Sequence, residues 1–189
     1  APTYCHDFFG TNFLGRRPDG TTALRRHGQP VRHQFFGQSS FASHSICTER
    51  NVVQVDRAAP LEILGPLACA IQTGAGAVVH VLRPRMGQSL AVFGAGSVGM
   101  AAIMAARAIG LARIVAVDVV ESRLQLAREL GATHAIVAAE GVDTVAAIRR
   151  IAAAGVDFCF DTTGRPEVVR QAVDALAPRG VCGYVGGAA

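Results

Sequence analysis

Apolar positions are distributed differently in the two parts of this chain. Over residues 1–60 they come in short clusters, Phe35-Phe36 and Asn51 to Val55 among them, broken by glycines and turns such as Pro18-Asp19-Gly20. No helical period runs through this region, which predicts short strands of an irregular β domain. Residues 61–82 then contain an apolar, buried helix that includes Cys69, and Arg83-Pro84-Arg85 reads as a linker. From Ser89 onward the pattern becomes regular. Strands are predicted at Ser89–Phe93, Arg113–Val117, His134–Ala138, Val156–Phe160 and Val181–Val185, and helices at Ser97–Ile109, Glu121–Leu130, Val142–Ala154 and Pro166–Leu176. Gly110 and Gly131 close the first two helices; Pro166 stands in the first turn of the last, where its missing N–H costs nothing. Strands alternating with helices make right-handed parallel βαβ units buried on both faces, so the expected class is α/β with a doubly wound sheet.

Composition narrows the classes. Half of the 189 residues are hydrophobic, enough for a sizeable core and too many for a disordered chain. All 18 basic residues are arginine, and the net charge of +4 is modest. Arg16, Arg17, Arg25, Arg26 and Arg32 cluster near the start with His27 and His33, yet no reading helix or aromatic platform accompanies them. Nucleic acid is therefore not the expected partner. Five scattered cysteines, two of them in apolar segments, fit a reducing compartment, and a cytoplasmic location is expected. No apolar run approaches the ~18 residues of a membrane helix, and the amino end APTYCHDFFG lacks a charged-then-apolar leader.

Candidate chemistry starts at AVFGAGSVGMAA. Gly94, Gly96 and Gly99 form G-x-G-x-x-G between the first regular strand and its helix. Gly94 permits a tight turn, Gly96 lets backbone approach a pyrophosphate, and Gly99 lets helix and strand pack closely. The diphosphate would lie over the free amides of the helix start. Nineteen residues past Gly99, Asp118 ends the strand sequence IVAVD, where its carboxylate could accept hydrogen bonds from ribose hydroxyls. A 2′-phosphate would be repelled there, which favours NAD over NADP. Methyltransferases use a similar first turn and acid, so the rest of the chain has to separate the two readings.

Taken together, YCHDFFGTNFLGRRPDGTT, FFGQSSFA, ERNVVQV, LGPLACAIQTGAGAV, AVFGAGSVG, VDVVESRLQLARELGATH, GVDFCFDTTGRPEV and GYVGG resemble the zinc-dependent medium-chain alcohol dehydrogenases. FFGQSSFA and AIQTGAGAV are most similar to the benzyl-alcohol, or aryl-alcohol, branch. The resemblance implies a Rossmann domain over residues 69–189, with its leading inter-domain helix and five of six strands, preceded over 1–68 by part of a β-rich GroES-like catalytic domain. It also implies a chain truncated at both ends. Cys69 matches a ligand of the catalytic zinc, and Cys5 matches one of four cysteines of a structural-zinc lobe. The partner ligands have no counterpart here, so Cys69 in this piece also reads as a packed small residue. By the same resemblance Asp118 and Arg123 hold the adenosine ribose, Thr163 and Arg165 lie near the adenine, and Val98 and Thr73 pack against the nicotinamide. Val185 and Gly187 approach the nicotinamide end, and Phe35 and Phe36 line the substrate pocket. His44, His80 and His134 match no ligand position.

The implied reaction is NAD- and zinc-dependent oxidation of a primary, aromatic alcohol to its aldehyde. Alternatives are a zinc-free quinone or enoyl reductase of the same superfamily, against which Asp118 and Cys69 both argue, and a dinucleotide-binding piece that is catalytically inactive alone. The expected partners are a small-molecule alcohol or aldehyde and further copies of the chain in a dimer or tetramer, with neither nucleic acid nor membrane. A five-stranded sheet is expected to leave a free hydrogen-bonding edge near Val181–Val185. The chain should therefore self-associate, and a monodisperse monomer in light scattering would contradict this.

Overall fold

A computed structural model describes residues 6–37, 43–47 and 49–186, which fall into two compact units divided between Ala59 and Pro60. Cys5 and Gly187 lie outside the described residues. In the first unit, helix α1 (Phe8–Asn12) precedes a minimal hairpin of β1 (Arg25–Arg26) and β2 (Gln29–Pro30), paired antiparallel. His27 and Gly28 turn it with φ of 52° and 79°, the paired positive angles that match the twist of a two-residue hairpin. The strands expected at Phe35-Phe36 and Asn51–Val55 do not form. Phe35 contributes a single bridge residue, Phe36 takes a left-handed φ of 51°, and Glu49–Asn51 is a 3₁₀ turn. Instead Phe8, Phe9, Phe13, Phe35 and Phe36 form one cluster, mostly edge to face with Phe9–Phe13 tilted, and with ring centroids 4.7 Å apart for Phe35–Phe36 and 5.2 Å for Phe13–Phe36.

The helix expected over 61–82 is broken. Helix α2 (Leu61–Leu64) runs into a 3₁₀ turn at Gly65–Ala68, and α3 (Ala70–Gly76) continues as a π-helix over Ala77–Leu82. The two halves meet at 50° across Cys69, whose φ of −128° and ψ of −75° leave the helical region. Pro66 stands in the first turn of the 3₁₀ segment, where its missing amide is tolerated, and Gly65 before it stays helical, so the bend belongs to Cys69 itself. The first half is not buried either: Leu61, Ile63, Leu67 and Cys69 are all exposed. Cys69 is thus neither inside a continuous helix nor a packed core residue. Among the described residues no single helix is long and apolar enough to cross a membrane.

The rest of the second unit alternates as the pattern predicts. Strands β3 (Ser89–Phe93), β4 (Arg113–Asp118), β5 (His134–Val137), β6 (Val156–Asp161) and β7 (Leu176–Tyr184) are joined by α4 (Ser97–Ile109), α5 (Glu121–Leu130), α6 (Thr144–Ile151) and α7 (Pro166–Asp174). All five strands are parallel, in the order β5-β4-β3-β6-β7. The chain winds outward from β3 to β5 and then returns to place β6 on the other side of β3, so the order reverses between β3 and β6. Helix α6 starts at Thr144 because the Asp143 carboxylate caps it, accepting from Ala146 N at 2.9 Å. Strand β7 starts five residues earlier than expected, through a register irregularity that Pro178, Arg179 and Gly180 accommodate.

Although the inner strands are apolar throughout, alternate residues serve different layers. Leu90, Val92, Ile114, Ala116, Phe158 and Phe160 pack toward α4, α5 and the π-helix. Ala91, Phe93, Val115, Val117, Ile136 and Cys159 pack toward α6 and α7. Strand β7 pairs with β6 alone, and its Val181 and Tyr184 are exposed, so the expected free edge is present among the described residues. Helix α3 crosses α4 at Gly74, where a Cβ would collide with the Val98 carbonyl and lie 2.9 Å from the Ala101 Cβ. A Cβ on Gly76, two residues on, would meet nothing within 4 Å.

Two predictions follow from this packing. Gly74→Ala should destabilise the fold by about 1–3 kcal/mol through overpacking, whereas Gly76→Ala should be neutral or gain up to about 1 kcal/mol of helix propensity. Urea unfolding of both variants tests this contrast, and equal effects would refute the close crossing. The buried Cys159 thiol is pushed up in pKa by desolvation and, secondarily, by the neighbouring Cys182, which is raised by its own burial and by Asp161. Iodoacetamide at pH 8 should therefore modify the exposed Cys47 and Cys69 in the native state and spare Cys159 until denaturant is added, as read by peptide mass.

Candidate functional site

The reversal of strand order opens a crevice beyond the carboxyl ends of β3 and β6, the usual place for a ligand in a doubly wound sheet. Gly94 leaves β3 with φ of +92°, and a Cβ there would lie 2.5 Å from Thr162 Oγ1 and 3.1 Å from Thr163 Cγ2. Only glycine fits both the angle and the space. Five residues on, a Cβ on Gly99 would strike the Gly94 carbonyl, so the first turn of α4 presses directly on the strand end. Gly96, by contrast, opens onto free space. It is the N-cap of α4, in extended conformation and with no capping side chain, so the helix presents unpaired amides at the crevice.

Asp118 ends β4 beside this turn and is buried. Its Oδ2 accepts from Ala95 N at 2.7 Å and its Oδ1 from Val120 N at 2.9 Å. The Arg123 guanidinium, half-exposed on α5, stands 3.8 Å from Oδ2. A carboxylate offers about four acceptor positions, so two remain after the backbone bonds. The carboxylate thereby fastens the glycine turn to the neighbouring strand and still has lone pairs for a ligand.

The far wall is built by the turn after β6. Asp161, fully buried, accepts from Thr163 N at 3.3 Å, Thr163 Oγ1 at 2.8 Å and Gly164 N at 3.1 Å. Thr162 Oγ1 reaches the carbonyls of Phe93 and Gly94, both at 3.1 Å. Arg165 then stands at the N-cap position of α7 without a capping side-chain bond, its Nε donating to the Glu167 carboxylate at 2.6 Å. Glu167 is held below the usual carboxylate range, first by its own backbone amide and then by Arg165, so this exposed pair stays ionised.

These elements enclose a cavity of about 320 Å³. Six of the residues expected at the cofactor meet around it: Gly94, Gly96, Asp118, Arg123, Thr163 and Arg165. Val98 and Val185 do not line it; they pack, half-buried, against the core on the α4 side, and Gly99 acts from beneath through its contact with Gly94. Thr73 is half-buried on α3, next to the Gly74 crossing with α4. Phe35 and Phe36 belong to the aromatic cluster of the first unit. Sequence reasoning missed Val119, Ala138, Val168 and Gln171, which complete the lining together with Phe93, Val117 and Thr162. Gln171 shares the inward i, i+3, i+4, i+7 stripe of α7 and its C-cap with Val168, Ala172 and Ala175, and its polarity there points to a cavity only once the topology is known. The combined surface offers free amides for an anion, a carboxylate for hydroxyl donors, and an apolar slot for a planar ring.

No group of three His, Cys, Asp or Glu residues able to hold a metal ion is found among the described residues. A zinc needs three or four protein ligands, and the exposed Cys69 stands without a second, so the described residues do not by themselves fit that metal.

Comparison with known proteins is consistent with this geometry. Residues 97–189 match the family described as zinc-binding dehydrogenase. The chain is 45% identical over 186 residues to geraniol dehydrogenase of Castellaniella defragrans, covering 98% of this chain and 50% of the relative. Among solved structures, an alcohol dehydrogenase zinc-binding domain protein from Burkholderia ambifaria superposes with a TM-score of 0.88 at 55% identity, over 97% of this chain and 50% of its own. Benzyl alcohol dehydrogenase from Acinetobacter calcoaceticus gives a TM-score of 0.88 at 46% identity, over 98% and 50%. Over nearly its whole length the chain is thus similar to these dehydrogenases, and it spans about half of their length.

Proposed function

We propose that the second unit holds NAD across the glycine turn, and that the protein oxidises a primary alcohol to its aldehyde with this cofactor. The observation that carries the reading is the Asp118 carboxylate, buried at the end of β4, bonded to Ala95 N at 2.7 Å and lining the same cavity as Gly94 and Gly96. The open backbone at Gly96 and the uncapped start of α4 supply the anion-binding amides for a pyrophosphate. The two acceptor positions left on Asp118 suit the adenosine ribose hydroxyls, and its charge disfavours a 2′-phosphate. Arg123 lies close enough to orient that carboxylate while its exposed half faces solvent.

When bound, NAD supplies the hydride acceptor; the chain supplies position and exclusion of water. Val98, Val185 and Thr73 are proposed to support the nicotinamide end, which is consistent with Val98 and Val185 packing against one core layer. Cys69 is proposed as one thiolate ligand of a zinc whose other ligands are not among the described residues. The relatives are named for geraniol and for benzyl alcohol, and these share a primary carbinol next to an sp² carbon. That shared feature is the proposed substrate class, broader than aromatic alcohols alone. The phenylalanine cluster including Phe35 and Phe36 supports an apolar substrate. A cytoplasmic, homo-oligomeric enzyme accords with the free thiols and the open β7 edge.

Calorimetry tests the cofactor assignment. The chain should bind NADH more tightly than NADPH, and Asp118→Gly should shrink that preference by roughly tenfold or more, the size of one lost charge-assisted interaction. Because Asp118 also fastens the turn, some loss of overall affinity is expected; the ratio is the informative quantity. An unchanged ratio would remove Asp118 from ribose recognition.

A further inference from the structure

The cavity lining on the side of α7 has a composition that the glycine turn and Asp118 do not explain. Val119, Ala138 and Val168 bring apolar surface from three different segments, and Gln171 adds one uncharged amide. Val168 and Gln171 lie three residues apart on α7, hence on one face, and this face is the inward stripe that Ala172 and Ala175 continue into the core. A glutamine in such a stripe is out of place as packing. Its backbone is already committed, since its carbonyl accepts from Ala175 N at 2.9 Å. Only the side chain, half-buried at the open end of the stripe, is available for recognition.

The chemistry of the slot selects its occupant. Apolar walls suit a flat ring, while a carboxamide presents one donor and one acceptor side by side. That pair complements the donor–acceptor edge of adenine, where N6–H₂ donates and a ring nitrogen accepts. The two arginines at the rim do not compete for this role: Arg165 is tied to Glu167 at 2.6 Å, and Arg123 stands 3.8 Å from Asp118. With the ribose on Asp118, the base attached to it has this slot as its nearest apolar surface in the cavity.

We propose that Gln171 reads the adenine edge of the dinucleotide through its carboxamide, and so sets base specificity at the adenosine end. This rests on the NAD reading above and deepens it. Gln171 contacts the ligand far from the reacting carbon, so it is a binding residue and not a catalytic one.

The test measures binding of ADP-ribose, its 1,N6-ethenoadenine analogue and nicotinamide mononucleotide to the full chain and to Gln171→Leu by calorimetry. The etheno bridge covers N6 and N1 and keeps the ring flat. Gln171→Leu should weaken ADP-ribose by roughly tenfold, the scale of two modest hydrogen bonds, and leave nicotinamide mononucleotide unchanged. The etheno analogue should suffer a similar loss on the unsubstituted chain and none on Gln171→Leu. Because the first of these analogue measurements uses unaltered protein, misfolding of the variant cannot rescue the idea. If ADP-ribose binds equally to both proteins, or the etheno penalty is the same in both, the amide does not read the base and only this inference falls. If ADP-ribose does not bind the unsubstituted chain at all, the NAD reading falls with it.

Discussion

The contact between Gly99 and the Gly94 carbonyl governs the second unit. With a Cβ at residue 99 excluded, α4 can begin directly on the end of β3, and its unpaired amides are delivered to the crevice. Moving the helix away by the width of one methyl group would break two things together. The packing of Met100, Ile103 and Ala106 against Val92 and Ile114 would loosen, and the turn would lose its register with the Asp118 carboxylate that grips Ala95 N. Core and site are therefore one construction, which is why Gly99 and Asp118, which shape the turn, are both buried.

A second level of support comes from buried carboxylates used as backbone fasteners. Asp118 holds Ala95 N and Val120 N, and Asp161 holds Thr163 N and Gly164 N. Each stands at the end of a strand on either side of β3, so the loops forming the two walls of the cavity are both fixed by acceptors below them. A charged acceptor bonded to backbone amides is stronger than a neutral one, and its burial is compensated by those bonds. The difference is in what remains. Asp161 is fully enclosed, whereas Asp118 keeps a face toward the cavity, which makes it the one suited to bind something.

The inner elements were legible because their signals are local. Ser89–Phe93, Ser97–Ile109 and Glu121–Leu130 carry their own periodicity and end at turn residues, and the structure forms them with those bounds. Elsewhere the deciding information is not local. Leu61–Leu67 is largely apolar, but nothing in its composition says whether another layer covers it, and the helix bends at Cys69 where periodicity alone continues. Strand β7 begins in Leu176–Gly180, a stretch whose proline and glycine read as a turn; pairing with β6 overrides that preference through an irregular register. Gln171 was hidden for a related reason, since a polar residue in an apolar stripe has meaning only once the topology shows that the stripe ends at a cavity.

The two faces of the sheet divide the work of binding. Residues proposed for the nicotinamide end, Val98 and Val185, belong to the layer with α4 and α5, whereas Val168, beside Gln171, belongs to the layer with α6 and α7. A ligand touching both must cross the sheet's carboxyl edge, and the reversal between β3 and β6 is the place where no connecting helix covers that edge. The glycine turn lies at this crossing, so the part of the ligand there must be thin, flexible and anionic enough to use free amides. A pyrophosphate meets each of these requirements, and the two rings it joins would fall to opposite sides. The alternation of side chains along β3, with Val92 facing one layer and Phe93 the other, thus gives the two ends of the proposed dinucleotide different surroundings.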